Sequence, residues 1–286
     1  MKLTDLLDQP IKLPTVPKVT QRLIESFASE DVSVDEIAHQ ISVDPVLSAK
    51  LLRLANSAYF NFSRAIGTVD DALRMLGLVM VRNLVLGHGM VAAFRSTQGL
   101  NLTQFWRYNL YTACASRWLA GSTVANSDLV FTLGLFHGIG QLQMHAGMPA
   151  VMAQLDKQLG VLHADRAELE KKTLGFHYGE VSAALAEIWK FPPPLIQALR
   201  EFAQPLASGE FLETAACVHL GAWRARTEVL EMTEQEVLAT YPSAVGKRLG
   251  KDPSWVSTIA AQTPGMAAKV MPPLNELAAG LEDLLA

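Results

Sequence analysis

Charge, cysteine and unbroken apolar stretches are all scarce in this chain, and each scarcity excludes something. Only 18% of its 286 residues are charged, and 24 basic against 28 acidic side chains leave a net charge of −4. With pI near 6.0, that balance disfavours non-specific contact with a phosphate backbone, and no nucleic-acid reader motif is present. There are two cysteines, Cys114 and Cys217, in apolar helical sequence without metal-ligand spacing. They read as reduced core residues of a cytoplasmic protein. The most membrane-like run, Met75 to Phe94, is interrupted by Arg82, Asn83 and His88. No clean apolar stretch therefore reaches the ~18 residues that a membrane span needs. The opening MKLTDLLDQPIKLP lacks the long apolar core and small-residue cleavage site of a secretion signal.

What is abundant is apolar side chains at helical spacing. Half the residues are apolar and mean hydropathy is +0.19, a balance suited to stacked helices buried on several faces. The length suffices for one large domain or two packed lobes. Strand signals are nearly absent. After the extended LPTVP lead-in, Val19, Leu23, Ile24 and Phe27 mark one helical face. Ser33 to Glu36 reads as a capping box, and TEQE at 233–236 as a second. Asp44-Pro45 and Asp252-Pro253 pair a capping carboxylate with proline at the first helical position.

Helices are expected over Pro45 to about Asn56, Thr68 to Gly77 and Val79 to Phe94. Further ones are expected from Phe105 to Leu119 and over 127–146, 149–159 and 163–174. Tyr178–Trp189, Pro194 to about Ala203 and Gly209–Glu228 complete the series, with short helices beyond. Asn56 is read as a left-handed terminator. The polar break at 95–103 is the best internal boundary.

FTLGLFHGIGQLQMH, from Phe131 to His145, is read as one apolar helix with His137, Gln141 and His145 along one edge. Taken with LPTVPKV, ISVDPVLSAKLLRLANSAYF, DDALRMLGL and LGFHYGEVSAALAEIWKFP, it resembles the HDOD domain. That is a bacterial all-helical signalling domain related to the HD and HD-GYP phosphohydrolases. The resemblance implies an all-α fold of two packed lobes. A helical bundle over 10–95 would pack on an HD-like lobe over 103–223, with a helical extension over 224–286.

HD enzymes hold divalent metals through a histidine, a His-Asp pair and a later aspartate, and attack phosphoesters with metal-bound water. Carried over residue by residue, the first histidine falls at Asn109 and the His-Asp pair at His137-Gly138. The lysine after the pair falls at Gln141. The histidine of the later motif is kept as His177, a histidine pair falls on Glu201-Phe202, and the terminal aspartate falls within 218–223, where no carboxylate stands. Only His137 and His177 survive as expected ligands. The resemblance therefore implies a degenerate HD pocket of Asn109, His137, Gly138, Gln141, His177 and Glu201, with no metal, no cofactor and no catalysis. His137, His177 and Glu201 remain a minimal two-histidine, one-carboxylate alternative for zinc.

The expected function is a regulatory module binding a signalling protein partner or a small signal. The alternative is a residual metal-dependent phosphohydrolase or nucleotide phosphodiesterase. Asn56, Ser57, Tyr59, Phe60 and Phe62 form a candidate partner surface, to be weighed against a helix end with aromatics tucked between lobes. Glu170 is expected at the surface or in an inter-helix pair, and Arg224 and Arg226 on a solvated face. His39, His88, His145, His163 and His219 are read as ordinary.

Overall fold

A computed structural model describes residues 3–7, 22, 33–57, 60, 62–95, 97–207, 209–256 and 270–282. The LPTVP lead-in, the face from Val19 to Phe27 and Tyr59 lie outside the described residues. The described residues contain helices and no strand, so the all-α reading holds.

After a short helix, α1 (Leu3–Leu7), the first lobe comprises α2 (Val34–Ser42), α3 (Pro45–Ala55), α4 (Val69–Leu76) and α5 (Leu78–Phe94). Asp44 caps α3 as its sequence predicts, accepting from the amides of Val46 and Leu47 at 2.9 and 3.0 Å. Thr68 caps α4 through the Asp71 amide at 3.1 Å. The box at Ser33 does not form, because Glu36 accepts from Gln40 at 3.1 Å instead of reaching back. Nor is Asn56 left-handed, at φ −94°. Its side chain ends α3 by bonding the Leu52 carbonyl at 2.7 Å and both backbone groups of Ile66 at 2.8 and 2.9 Å.

No single described helix is long and apolar enough to cross a membrane; α4 and α5 pass that test only together, as a pair bent by 113°. α5 is buried on most sides because it lies between the lobes, packed on α3 and α4 and against the second lobe.

The second lobe is built around α6 (Leu102–Ala120), flanked by α7 (Ser127–Phe136). After it run α8 (Ile139–Gly147), α9 (Pro149–Asp156), α10 (Arg166–Leu174), α11 (Tyr178–Ile188), α12 (Pro193–Glu201) and α13 (Glu213–Val229). Glycines let two neighbours approach α6 closely. A Cβ on Gly134 of α7 would lie 2.6 Å from the Ala113 Cα, and one on Gly221 of α13 would lie 2.1 Å from Ser116 Oγ. Cys114 and Cys217 are free and buried here, and burial pushes each thiol up to about 12.

α13 crosses the expected boundary at 223–224 without a break. Beyond it come α14 (Glu234–Ala239), α15 (Ser243–Arg248), a single 3₁₀ turn (Pro253–Trp255) and α16 (Leu274–Leu277). Trp223 on α13 meets Tyr241 and Trp255 edge-on at 5.0 and 5.7 Å, so aromatic packing ties this extension to the second lobe. The lobes themselves are bridged by a buried hydrogen bond of 2.6 Å from Thr132 Oγ1 on α7 to Asn83 Oδ1 on α5.

Candidate functional site

The expected continuous helix over 127–146 is instead two helices, α7 and α8, broken at His137-Gly138. Side chains take over the backbone groups at the break. Ser182 Oγ on α11 donates to the His137 carbonyl and accepts from the Gly140 amide, both at 2.9 Å. Asn109 Oδ1 on α6 accepts from the Gly138 amide at 3.2 Å.

His137 is fully buried. Its Nδ1 donates to the Gly134 carbonyl at 2.6 Å, which leaves Nε2 as a lone pair with no partner. Tyr108 and Phe202 pack edge-on against the ring, each at 5.2 Å. Burial pulls its pKa down to about 4, against the Gly134 bond and with help from the Arg226 charge.

Asn109 and Gly138 are brought together, as a packed pair. The Asn109 amide nitrogen donates to the Phe105 carbonyl at 2.8 Å. A Cβ at position 138 would lie 2.8 Å from Asn109 Oδ1 and 3.1 Å from Phe105 Cζ. The volume into which an aspartate at 138 would extend is therefore filled by an amide and a ring.

His177 plays a different local part. As N-cap of α11 its Nδ1 accepts from the Gly179 amide at 3.1 Å, while Glu180 accepts from the His177 amide at 3.0 Å. Burial lowers its pKa, with Glu180 opposing and Lys171 assisting. Glu201 ends α12 half-buried and accepts from Gln197 at 3.2 Å. Among the described residues no three His, Cys, Asp or Glu side chains converge as metal ligands. The minimal set of His137, His177 and Glu201 thus does not assemble, and the residues present do not fit the metal centre of the HD frame.

Gln141 opens a buried network. Its Nε2 donates to Glu170 Oε1 at 2.6 Å, and Arg166 Nε donates to the same oxygen at 2.7 Å. Glu170 Oε2 accepts from the Tyr178 amide at 2.8 Å. Glu170 is therefore the inter-helix pair member rather than a surface residue. Arg166 Nη1 donates to the Leu159 carbonyl and forms an ion pair of 2.8 Å with Asp156 Oδ1, at an angle unsuited to a hydrogen bond.

His145, expected to be ordinary, completes the set. Nδ1 lies 2.7 Å from the Gln141 carbonyl and Nε2 3.0 Å from Asp156 Oδ2.

The solvated face assigned to Arg224 and Arg226 needs correction. Arg224 is buried and pairs with Glu228 at 2.8 Å. Arg226 is half-buried, and its Nε donates to the Leu162 carbonyl. α13 is covered on this side by the 160–163 loop and by the extension beyond 230, which a helical wheel does not display. In the first lobe, Asn56 is engaged with Ile66. Phe60 and Phe62 stack at 5.7 Å and pack partly buried on the core, and Ser57 Oγ is buried beside Gly280.

A cleft of about 410 Å³ opens beside the broken helix pair, lined mainly by Leu100, Phe105, Val161, Leu162 and Leu230, with Asp156 as its charged member. Phe105 and Asp156 belong at once to this cleft and to the packing around Gly138 and Arg166.

Comparison with known proteins agrees with this frame. A structure from Shewanella amazonensis SB2B, carrying the provisional name phosphohydrolase, superposes with TM-score 0.74 at 28% identity, covering 98% of both chains. One from Marinobacter aquaeolei VT8, provisionally named a signal transduction protein, superposes at 0.68 with 22% identity, covering 100% of this chain and 60% of that one. An uncharacterized protein of Treponema pallidum (strain Nichols) is 27% identical over 203 residues, 69% of this chain. The match spans only 38% of that relative's length. The profile of the HDOD domain matches residues 13–205, and with the helices, the broken His-Gly corner and the cap at His177 in the places described, the chain belongs to the HDOD domain family.

Proposed function

We propose that the chain is a non-catalytic signalling module, in which a repacked HD-like pocket and the surface around it bind a signalling protein partner or a small signal. The observation that carries this reading is the Asn109–Gly138 pair: an amide and the Phe105 ring stand where a ligand carboxylate would have to go. A half-lost metal site would leave donors aimed at a void. Here His177 caps α11, Asn109 bonds the Gly138 amide and Glu170 is paired with Arg166, which leaves Nε2 of His137 without a partner.

The 410 Å³ cleft supports a small-signal function, being mostly apolar with one carboxylate and in the size range of small-molecule pockets. A ligand there would touch Phe105 and Asp156, so it could bias the packing behind them. A protein partner would meet the outer edges of Phe60 and Phe62. The domain division proposed is the 10–95 lobe, the 103–223 lobe and the 224–286 extension, the last fastened by Trp255.

A residual phosphohydrolase or nucleotide phosphodiesterase on His137 and His177 has one observation in its favour, the unpartnered Nε2 of His137. The test separates the two. Protein purified without chelator or metal-affinity tag is assayed for metal content and for turnover of phosphodiesters and nucleotides. Less than a tenth of an equivalent of metal and no turnover are expected. A stoichiometric metal ion with activity lost in His137→Ala would overturn the reading.

A further inference from the structure

We propose that the small cavity between α10, α11 and α13 is a binding site for an inorganic oxyanion, phosphate or sulfate, with Arg226 as its principal ligand. The cavity measures about 70 Å³, and its polar lining is Tyr178, His219, Trp223, Arg226 and Thr240. The rest of the wall is Phe202, alanine and proline, and no carboxylate takes part.

Arg226 distinguishes this cavity from the others. Arg166 and Arg224, also in this lobe, each hold a carboxylate at 2.7–2.8 Å. Arg226 is half-buried, yet its contacts among the described residues are the Leu162 carbonyl and the Tyr108 hydroxyl, both neutral. A partly desolvated cation without a counter-charge is costly, and a guanidinium has five donors, of which these contacts use a minority.

The lining brings no competing negative charge. His219 Nδ1 donates to the Phe202 carbonyl at 2.9 Å, so Nε2 is left as an acceptor, suited to the P–OH of a protonated phosphate rather than to a bare anionic oxygen. The Tyr178 hydroxyl has no hydrogen-bond partner among the described residues, and the residue is half-buried. The Arg226 charge works against burial at Tyr108 and Tyr178 and with it at His137 and His219, so all four rings lie within reach of its field.

Size fixes the class of ligand. A water occupies about 30 Å³ of liquid, so this volume takes a few waters or one tetrahedral anion, well short of the roughly 300 Å³ of ordinary small-molecule pockets. A nucleoside does not fit. Guanidinium forks match tetrahedral oxyanions through charge-assisted hydrogen bonds. The inference deepens the signalling reading by naming a signal chemistry. It rests on that reading for what binding achieves, not for whether binding occurs.

The full chain, purified free of phosphate and sulfate, is melted in phosphate and in chloride at matched ionic strength, and phosphate is then titrated by calorimetry. The expected result is a phosphate-specific rise in midpoint and a single site. Arg226→Gln should weaken it at least tenfold, Arg226→Lys less, and Arg74→Gln, on an exposed helix face, not at all. Because Arg226 also holds the Leu162 carbonyl, Ala203→Leu serves as a second variant that fills the cavity and leaves the guanidinium; it too should lose the phosphate response. No difference between phosphate and chloride, or a response kept in both Arg226→Gln and Ala203→Leu, overturns the site. Metal-dependent turnover of a phosphodiester would overturn the non-catalytic reading instead, and leaves these binding outcomes to be read as before.

Discussion

Replacing Gly138 with aspartate restores the residue type that the HD frame carries there, and the structure specifies what it meets. The new Cβ would lie 2.8 Å from Asn109 Oδ1, 3.1 Å from Phe105 Cζ and 3.2 Å from Asn109 Nδ2. The carboxyl group would still have to be placed beyond it. Neither neighbour yields easily, since Asn109 is fully buried and bonded at both amide atoms and Phe105 is 3% exposed. Overpacking of this kind costs about 1–3 kcal/mol, the loss expected for Gly138→Ala. The carboxylate adds an uncompensated buried charge, which brings Gly138→Asp to about 3–5 kcal/mol. For a chain of this length that is a fall of roughly 6–20 °C in Tm. Urea denaturation at pH 7 measures both variants, and metal content is read on the same samples. An aspartate variant as stable as the parent, or one that acquires an equivalent of metal, would refute the claim that this volume is filled.

Acid sensitivity follows from His137 and His219, whose pKa values burial pulls down to about 4. Both are neutral when folded, so stability is complete above the ordinary value of about 6.5 and falls as pH drops toward 4, by about 1.4 kcal/mol per unit for each histidine. His137→Gln should flatten the pH profile of urea midpoints by one such contribution, and an unchanged slope would contradict it. Glu170→Ala leaves Arg166 buried beside half its counter-charge and should cost about 3–5 kcal/mol, with Glu170→Gln milder; a loss under about 1 kcal/mol would reduce the network to the rank of a surface pair. Gly221→Ala drives a Cβ to within 2.1 Å of Ser116 Oγ and 2.9 Å of its amide nitrogen. It should cost about 3 kcal/mol or more, while Gly160→Ala, with open space around it, should be neutral within about 0.5 kcal/mol.

Most caps decided within four residues were legible in the sequence, the box at Ser33 being the exception. Asp44-Pro45, Thr68 and the Thr233–Glu236 box all cap their helices as their chemistry predicts. The break at His137-Gly138 was not, because it depends on Ser182 and Asn109, far along the chain. Charge placement failed for a related reason. Arg166 and Glu170 stand at i, i+4, a spacing that reads equally as a solvated pair, and only the packing of α8, α10 and α11 makes it a buried one. Arg226 shows the reverse: its neighbours in sequence suggest solvent, while the chain that covers it comes from the 160–163 loop and from beyond 230. For the site, the missing carboxylate at 138 was visible from sequence alone. That Asn109 fills the gap, and that His145 and His219 join polar clusters, required the fold.

The residues at the HD positions answer one another, and this is the physical argument behind the proposal of a metal-free scaffold. Losing one carboxylate from a metal site would leave the remaining donors facing each other without their cation. Here the amide at 109 bonds the backbone at 138, and Gln141 donates to Glu170, whose charge Arg166 compensates. A positive charge is present here as a side chain, Arg226, which adds to the burial that holds His137 and His219 neutral. A pocket with its cation built in gains nothing from a second one. Stability should therefore be independent of divalent metal: chelator should leave the Tm unchanged, and added Mn²⁺ or Zn²⁺ should not raise it. A metal-dependent rise would mean that the orphaned Nε2 of His137 is a ligand after all, and that the repacking around Gly138 yields to an ion.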